Sequence, residues 1–597
     1  MEIVSVMAGY LIINVTGSDT GLDFKEKYKS WLENPYYDDE TKKELLEIHG
    51  NDKEIEDRFY RDLEFGTGGL RGIIGAGTNR MNKYTVRKAS QGLSNYIKKN
   101  GKASPSIVIA YDSRHRSDEF AKESACVFAS NGIKSYIFES LRPTPELSFA
   151  VRHLNCDAGV VITASHNPRD YNGYKVYGKD GGQIPPAISN EVLEEVNSIT
   201  DLTSVKVMDF EKAKAEGLIR IVGSEIDNAY IESLKSLKIT ETDQEIKDKC
   251  GIVYTPLHGS GNIPVRRILK ETGFHNVYVV PEQEMPDPDF PTVKYPNPED
   301  KAAFDLAISI AKERDVELII GTDPDCDRVG VVIRNRRGEY VPLTGNQTGC
   351  LLLEYILSNL GQRNAIPSNG FVVKTIVTTN LAKKIADAYN VKLVEVLTGF
   401  KFIGEQILIR EELGNEKFIF GFEESYGYLA GTFARDKDAV VASMLIAEMF
   451  AWYKSRGMTL YDGLTELFEK YGYEREALDS FTLEGKEGIE KINGAMKLLR
   501  ERKPSKFGSV EIKAIRDYKK GTRIEIGNNE EQPLGLPSSD VLYYETMEGY
   551  WFCIRPSGTE PKLKIYYGVS GKTESSSAES LDNLKTQVLS EIKPMLE

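Results

Sequence analysis

The chain has 597 residues, with 76 lysines and arginines against 90 aspartates and glutamates and a formal net charge of −14. That length exceeds one ordinary core several-fold and implies roughly three to five domains. The acidic balance argues against nucleic acid or an anionic membrane as the main partner, so an anionic ligand has to be met by a local pocket of cations.

Ile3 to Val15 is apolar enough to raise a signal peptide. Glu2 replaces the usual positive flank, no small-x-small cleavage site follows, and the run is too short to span a bilayer, so it reads as a soluble N-terminal extension. Lysine- and glutamate-rich sequence with apolar residues at helical spacing predicts a pair of helices between Phe24 and Leu63, ahead of "EFGTGGLRG" (Glu64 to Gly72). An α/β rhythm begins there. Ser106 to Arg114, Tyr136 to Ser140 and Ala158 to Ser165 read as strands, with helices over Asp118 to Ala129 and Pro145 to His153, the pattern of a mainly parallel sheet.

The rhythm returns in Gly251 to Gly261 and Val316 to Arg328 around helical Ile263 to Thr272 and Lys301 to Arg314. It returns again in Phe371 to Thr379 and Lys417 to Gly427 around helical Asn380 to Tyr389. The end differs: short strands at Val510 to Ala514 and Arg523 to Ile526, a strand, loop and strand over Tyr550 to Gly568, and a closing helix from Ser580 to Leu596 predict a smaller α+β domain. Polar stretches near Asp201 and Lys503 are candidate linkers. The reading is three consecutive α/β domains with mainly parallel mixed sheets and a C-terminal α+β domain around a central cleft. Their expected bounds are 1–45 for the extension, then 46–205, 206–335, 336–500 and 501–597. Six scattered cysteines without a CxxC pair suggest neither a zinc site nor a disulfide framework and fit a reducing cytoplasm.

Several loops carry chemistry. Asp323, Asp325 and Asp327 follow an apolar strand at i, i+2 and i+4; carboxylates so close repel, and hard oxygen donors on one loop suit Mg²⁺, although an exposed acidic turn has the same pattern. A calcium EF-hand does not fit, because Arg328 stands at the glycine position and Arg334 at that of the bidentate glutamate. "RPSGTEPK" (Arg555 to Lys562) offers a guanidinium, hydroxyls and backbone amides for a phosphate, or an ordinary turn. "GFEESYG" (Gly421 to Gly427) ends a strand with groups able to hold sugar hydroxyls, or a solvated strand end. Ser165, after "VVITA", is a nucleophile or a turn cap. A Ser165–His166 hydrolase pair is poor geometry, because neighbours on an extended backbone point to opposite sides and no GxSxG elbow is present.

"TASHNP", "DPDCDR", "EES" and "RPSGTEP", in this order at strand ends or loops, closely resemble the four loops of the α-D-phosphohexomutase family, and the resemblance runs from about Phe65 to Gly568. "FGTGGLRG" and "LTGFKFIG" (Leu397 to Gly404) look like further family elements, and the whole is most similar to the phosphoglucomutase and phosphopentomutase branch. The resemblance implies that Ser165 is the phosphoserine and that Asp323, Asp325 and Asp327 hold one Mg²⁺ that also takes a phosphoserine oxygen. It further implies that Thr398 and Gly399 help select the sugar, Glu423 and Ser425 grip its hydroxyls, and Arg555, Ser557, Gly558 and Thr559 hold the phosphate not being transferred. Arg71, Lys175 and Arg328 would add positive charge near the reacting phosphate, and His166 and Lys437 would move protons.

The activity implied is interconversion of α-D-glucose 1-phosphate and glucose 6-phosphate through a glucose 1,6-bisphosphate intermediate. Mannose or pentose phosphates are rival substrates, and a non-catalytic sugar-phosphate-binding protein is the rival of another class. The expected partners are small sugar phosphates in the cytoplasm, with no nucleic acid or membrane; the oligomeric state is open, with a monomer slightly favoured. Phe422 departs from the glycine that many phosphoglucomutases carry before the paired glutamates, which bears on the shape of the sugar site.

Overall fold

A computed structural model describes residues 24–597 apart from 67, 484, 529 and 558–561. The N-terminal reading for Ile3 to Val15 lies outside the described residues, as do Gly558 and Thr559. The expected helix pair is instead three short helices, Phe24–Glu33, Asp39–Glu47 and Asp52–Phe59. Asp38 and Asn51 cause the division: their side chains accept from the Thr41 and Glu54 amides and each starts a new helix. Trp31 stacks on Tyr37 at 4.2 Å and meets Phe59 and Tyr84 edge-on, which fastens these helices to the first α/β unit.

Three mixed sheets follow one plan. In the first, Ser106–Tyr111, Lys134–Phe138 and Ala158–Ile162 run parallel, Tyr171–Gly178 returns antiparallel beside Ala158–Ile162, and Gly69–Ile73 pairs antiparallel outside it. In the second, Ile252–Thr255 lies parallel to Val277–Val279 and Leu318–Thr322, and Val329–Arg334 returns antiparallel. In the third, Gly370–Thr375 lies parallel to Lys392–Val396 and Lys417–Glu423, and Gly427–Ala430 returns. Each unit therefore ends its parallel run in a hairpin, and the three hairpin loops are 163–170, 323–328 and 424–426.

The fourth sheet is wholly antiparallel, with Trp551–Pro556 and Lys562–Gly571 as its central hairpin. Its alternation is two-faced. Phe552, Ile554, Leu563, Ile565 and Tyr567 pack with Ile492, Met496, Leu584 and Val588 of helices Gly485–Arg502 and Glu574–Leu596. Trp551, Cys553 and Tyr566 face the other way and share a core with Phe371, Val373 and Phe400 of the third unit.

Domain bounds differ from those expected. Ile219–Val222 adds a parallel edge to the first sheet beside Lys134–Phe138, so that unit runs past 205. Tyr340–Pro342 closes the second sheet beyond 335. Tyr473–Thr482 pairs along its whole length with Lys562–Gly571, and helix Gly485–Arg502 packs into the same core, so the last unit starts near 473 rather than 501. The partners of Ile219–Val222 and Tyr473–Thr482 are distant in sequence, and local composition carries no trace of them. Among the described residues, no helix is long and apolar enough to cross a membrane, and all six cysteines are buried free thiols.

Candidate active site

The hairpin loops of the three α/β units converge on one cleft, which the central strands of the fourth unit also reach. A cavity of about 1100 Å³ there is lined by His166, Arg328, Glu423, Ser425, Thr398 and Arg555, among others. Each of the three α/β hairpins turns on one non-glycine residue with left-handed backbone: Ser165 (φ 52°), Cys326 (φ 53°) and Tyr426 (φ 65°). Such a residue costs roughly 1–2 kcal/mol and has to be held there by its surroundings.

For Ser165 the surroundings are a buried network. Its amide donates to Thr163 Oγ1 at 2.8 Å, and Thr163 Oγ1 donates to Asp112 Oδ2 at 2.6 Å. The buried Arg114 guanidinium donates to the backbone carbonyls of Ser165 at 2.5 Å, Pro168 at 2.7 Å and Tyr171 at 3.0 Å, and to that of Asn167. Arg114 thus ties the loop ends together while Asp112, 3.3 Å away, balances its charge.

Locked in this turn, Ser165 Oγ donates to Asp323 Oδ2 at 2.7 Å and lies 3.1 Å from His166 Nδ1. The geometric objection to a Ser165–His166 pair is therefore corrected: it assumed an extended backbone, and the left-handed turn brings the two side chains together. Burial, with Arg328 and Arg71 nearby, pushes His166 well below the ordinary imidazole value and leaves it neutral. Arg71 itself, exposed on strand Gly69–Ile73, donates to Asn167 Oδ1 at 3.2 Å.

The aspartates are buried rather than an exposed turn, with one oxygen of each lying within 4.8 Å of the others. Asp323 Oδ1 accepts from the Asp327 and Arg328 amides at 3.0 and 2.9 Å, which curls the loop. Thr144, opening helix Thr144–His153 of the first unit, donates its amide to the Asp325 carbonyl and its hydroxyl to Asp325 Oδ2, both at 2.9 Å. Lys175 Nζ reaches Asp325 at 2.6 Å and Asp327 at 3.3 Å; Lys437 Nζ reaches Asp327 at 3.2 Å. Asp325 Oδ1 and Asp327 Oδ1 remain buried without a hydrogen-bond partner.

Burial and its two neighbours push Asp323 well above the carboxylate range, whereas Lys437, Lys175 and Arg328 overcome burial to hold Asp327 low. An all-oxygen donor set with unpaired oxygens left over fits a divalent cation. Arg328 is ion-paired with Glu299 and stands 4.0 Å from Asp327.

In the third unit, burial pushes Glu423 up to about 7 against the pull of Lys437. Lys437 is itself raised, since Asp327, Asp436 and Glu423 outweigh its burial. Tyr177, on strand Tyr171–Gly178, donates to Asp436 Oδ2 at 2.7 Å, and Asp436 Oδ1 accepts from the Lys437 ammonium at 3.3 Å. Gly427 has no side chain where the Lys437 stem passes; a Cβ there would collide with Lys437 Cδ. Thr398 and Gly399 line the cavity, Gly399 with φ 119°.

Phe422 does not line the cavity. It is buried on the opposite face of its strand, stacked towards Tyr428 and pressed on Gly349, so the departure from glycine falls in the core and leaves the sugar side unchanged. Arg555 enters the cavity from the fourth unit, and the Ser557 amide donates to the Lys562 carbonyl at 2.7 Å. Sequence reasoning missed Arg114, Asp112, Thr144, Tyr177 and Asp436, which act through partners far away in the chain.

Residues 62–203, 228–338 and 344–471 match the family descriptions of alpha/beta/alpha domains I, II and III of phosphoglucomutase/phosphomannomutase. A Staphylococcus haemolyticus protein named phosphoglucomutase is 39% identical over 515 residues, 86% of this chain and 92% of the relative. One from Staphylococcus epidermidis with the same name is 40% identical over 508 residues, 85% of this chain and 91% of the relative. Of solved structures, the open form of parafusin (phosphoglucomutase) from Paramecium superposes with a TM-score of 0.65 at 17% identity, over 90% of this chain and 95% of its own. A phosphoglucomutase/phosphomannomutase family protein from Burkholderia thailandensis gives 0.62 at 19% identity, over 89% and 97%. At such identities the structures speak for the fold alone.

Proposed function

The chain belongs to the phosphoglucomutase/phosphomannomutase family of α-D-phosphohexomutases, in its phosphoglucomutase type, and from that premise we propose how its four hairpin loops exchange a phosphoryl group between O1 and O6 of glucose. It is an enzyme, and its reaction is the interconversion of α-D-glucose 1-phosphate and glucose 6-phosphate. The observation that carries the site reading is the Ser165 hydroxyl lying 2.7 Å from Asp323, beside two carboxylate oxygens without partners.

Ser165 is the phosphoryl carrier. In the first half of the cycle its P–Oγ bond breaks as a bond forms to the free hydroxyl of the sugar phosphate, whose proton passes to a neutral base; this yields glucose 1,6-bisphosphate. After the bisphosphate turns over, its other phosphate returns to Ser165 and the proton goes back to the departing sugar oxygen. Transfer of this kind depends on alignment and charge neutralisation. Asp323, Asp325 and Asp327 would hold one Mg²⁺, which when bound neutralises charge on the moving phosphoryl group. His166, kept neutral, is suited to accept a proton, and Lys437, kept cationic, to give one. Lys175, Arg71 and Arg328 concentrate positive charge that the chain as a whole lacks.

Glu423 and Ser425 take the sugar hydroxyls, with Thr398 and Gly399 beside them, and Arg555, Ser557, Gly558 and Thr559 the remote phosphate. Buried thiols throughout accord with a reducing cytoplasm.

The test is turnover of glucose, mannose, N-acetylglucosamine and ribose 1-phosphates with Mg²⁺ and a catalytic amount of the matching bisphosphate. Glucose 1-phosphate is expected to be fastest, and Ser165→Ala inactive yet folded. An active Ser165→Ala enzyme would sink the carrier assignment, and a faster mannose or ribose phosphate would reassign the substrate.

A further inference from the structure

The aspartate loop 323–328 rests on a second loop of its own unit. Asp323, Asp325 and Asp327 alternate with Pro324 and Cys326, so three mutually repelling carboxylates meet only if the two residues between them are held elsewhere. Cys326 is buried in the core beside Tyr254 and Ala439. Pro324 has no amide, and its carbonyl accepts from both the amide and the hydroxyl of buried Ser260, each at 2.8 Å. Both lone pairs of that carbonyl are thereby used.

Loop 256–261, which joins Ile252–Thr255 to helix Asn262–Glu271, is shaped for this contact. A Cβ on Gly259 would stand 2.4 Å from Pro324 Cα, so only glycine lets the two backbones approach. Leu257 and His258 are consecutive left-handed residues, φ 44° and 59°, a conformation that side chains disfavour and surroundings must impose. The His258 amide donates to the Gln283 carbonyl at 3.0 Å and its Nδ1 to the Met285 carbonyl at 3.1 Å, while Nε2 pairs with the Thr292 hydroxyl at 2.9 Å. None of residues 256–261 lines the cavity, so this backbone is not bent to meet substrate. The next carbonyls of the aspartate loop are held from other units, Asp325 by the Thr144 amide at 2.9 Å and Cys326 by the Ala439 amide at 3.3 Å. Ser260 is the tie from the loop's own unit.

We propose that Ser260 is a positioning residue for the cation site: by fixing the Pro324 carbonyl it turns Asp323 and Asp325, on either side, towards one divalent cation. The assignment rests on the reading of the three aspartates as cation ligands. Groups that orient ligating carboxylates typically govern tenfold or more of metal affinity.

The test is calorimetric titration of the metal-stripped enzyme with Mg²⁺, alongside its thermal midpoint and its turnover against Mg²⁺ concentration. Ser260→Ala keeps the amide bond and loses only the hydroxyl. It is expected to raise the Mg²⁺ dissociation constant about tenfold and the Mg²⁺ concentration for half-maximal turnover by the same factor, with KM for glucose 1-phosphate at saturating Mg²⁺ near the parental value. Val316→Ala opens a cavity in another core of the same unit and should lower the midpoint with Mg²⁺ affinity unchanged. Parental Mg²⁺ affinity in Ser260→Ala overturns the proposal, as does an equal loss in Val316→Ala, which would make the effect one of general loosening. Asp325→Asn separates the two readings. If it weakens Mg²⁺ and Ser260→Ala does not, the cation site stands without this support; if Asp325→Asn also binds as the parent does, the cation reading fails with it.

Discussion

Ser165 and Phe422 illustrate at single positions what a residue's neighbours decide. The left-handed turn at Ser165 converts an adjacent serine and histidine into a contact that an extended strand forbids. Strand alternation, conversely, removes Phe422 from the sugar although it precedes Glu423 in sequence. Phe422→Leu should therefore lower stability by about 1 kcal/mol, a shape change in a packed core, and leave the ratio of kcat/KM for glucose over mannose 1-phosphate where it is. Denaturant unfolding and the two rate measurements check this, and a changed ratio would return Phe422 to the sugar site. Ser165 and the three aspartates were legible in the sequence because each chemistry is packed into a few consecutive residues. Arg114 was not: its task is to bond four backbone carbonyls of a loop some fifty positions away, and nothing around it in sequence marks that.

Hairpins are the working elements. In each α/β unit the strand that returns antiparallel closes a loop over the cleft, and the returning strand brings side chains of its own. Tyr171–Gly178 delivers Lys175 to the aspartates and, two residues on and so on the same face, Tyr177 to Asp436. Tyr177 is a positioning residue for Lys437. Tyr177→Phe removes one hydrogen bond to a buried carboxylate, roughly 1.5–3 kcal/mol, and should lower kcat at least about tenfold while KM for glucose 1-phosphate stays near the parental value. Combined with Asp436→Asn, the two losses should not add, because both act through one contact chain; additive losses would separate Tyr177 from Lys437. The strand and helix pattern of these units was readable from alternating apolar runs. The return strands' side-chain roles were not, since register between strands is fixed by partners rather than by the strand itself.

At the scale of the molecule, the four units are joined by buried polar contacts as well as by apolar surface. Glu395 of the third unit accepts from Lys374 at 3.0 Å and from Arg516 of the fourth at 2.9 Å. Glu448, on helix Ala439–Ser455, accepts from the Ile239 amide at 3.0 Å, tying the third unit to the segment entering the second. Burial pushes Glu448 up to about 7 from an ordinary 4.5. A carboxyl raised in the folded state contributes stability that is complete below its unfolded value and lost as pH rises through its folded value, a span here worth about 3 kcal/mol. Glu448→Gln should therefore raise the thermal midpoint at pH 8 and lose that advantage by pH 5; parallel curves would show that Glu448 titrates normally. The two-faced sheet of the last unit has a temporal consequence. Tyr473 must wait for Gly571, and Thr482 for Lys562, before either is paired. On a growing chain the first three units, with serine, aspartates and Lys437, are already synthesised while Tyr473–Thr482 is still an open edge, a template for the wrong neighbour. Lys562–Gly571 closes that edge, and because it pairs with the strand of Arg555 on its other side, covering the edge and fixing Arg555 at the cleft are one event.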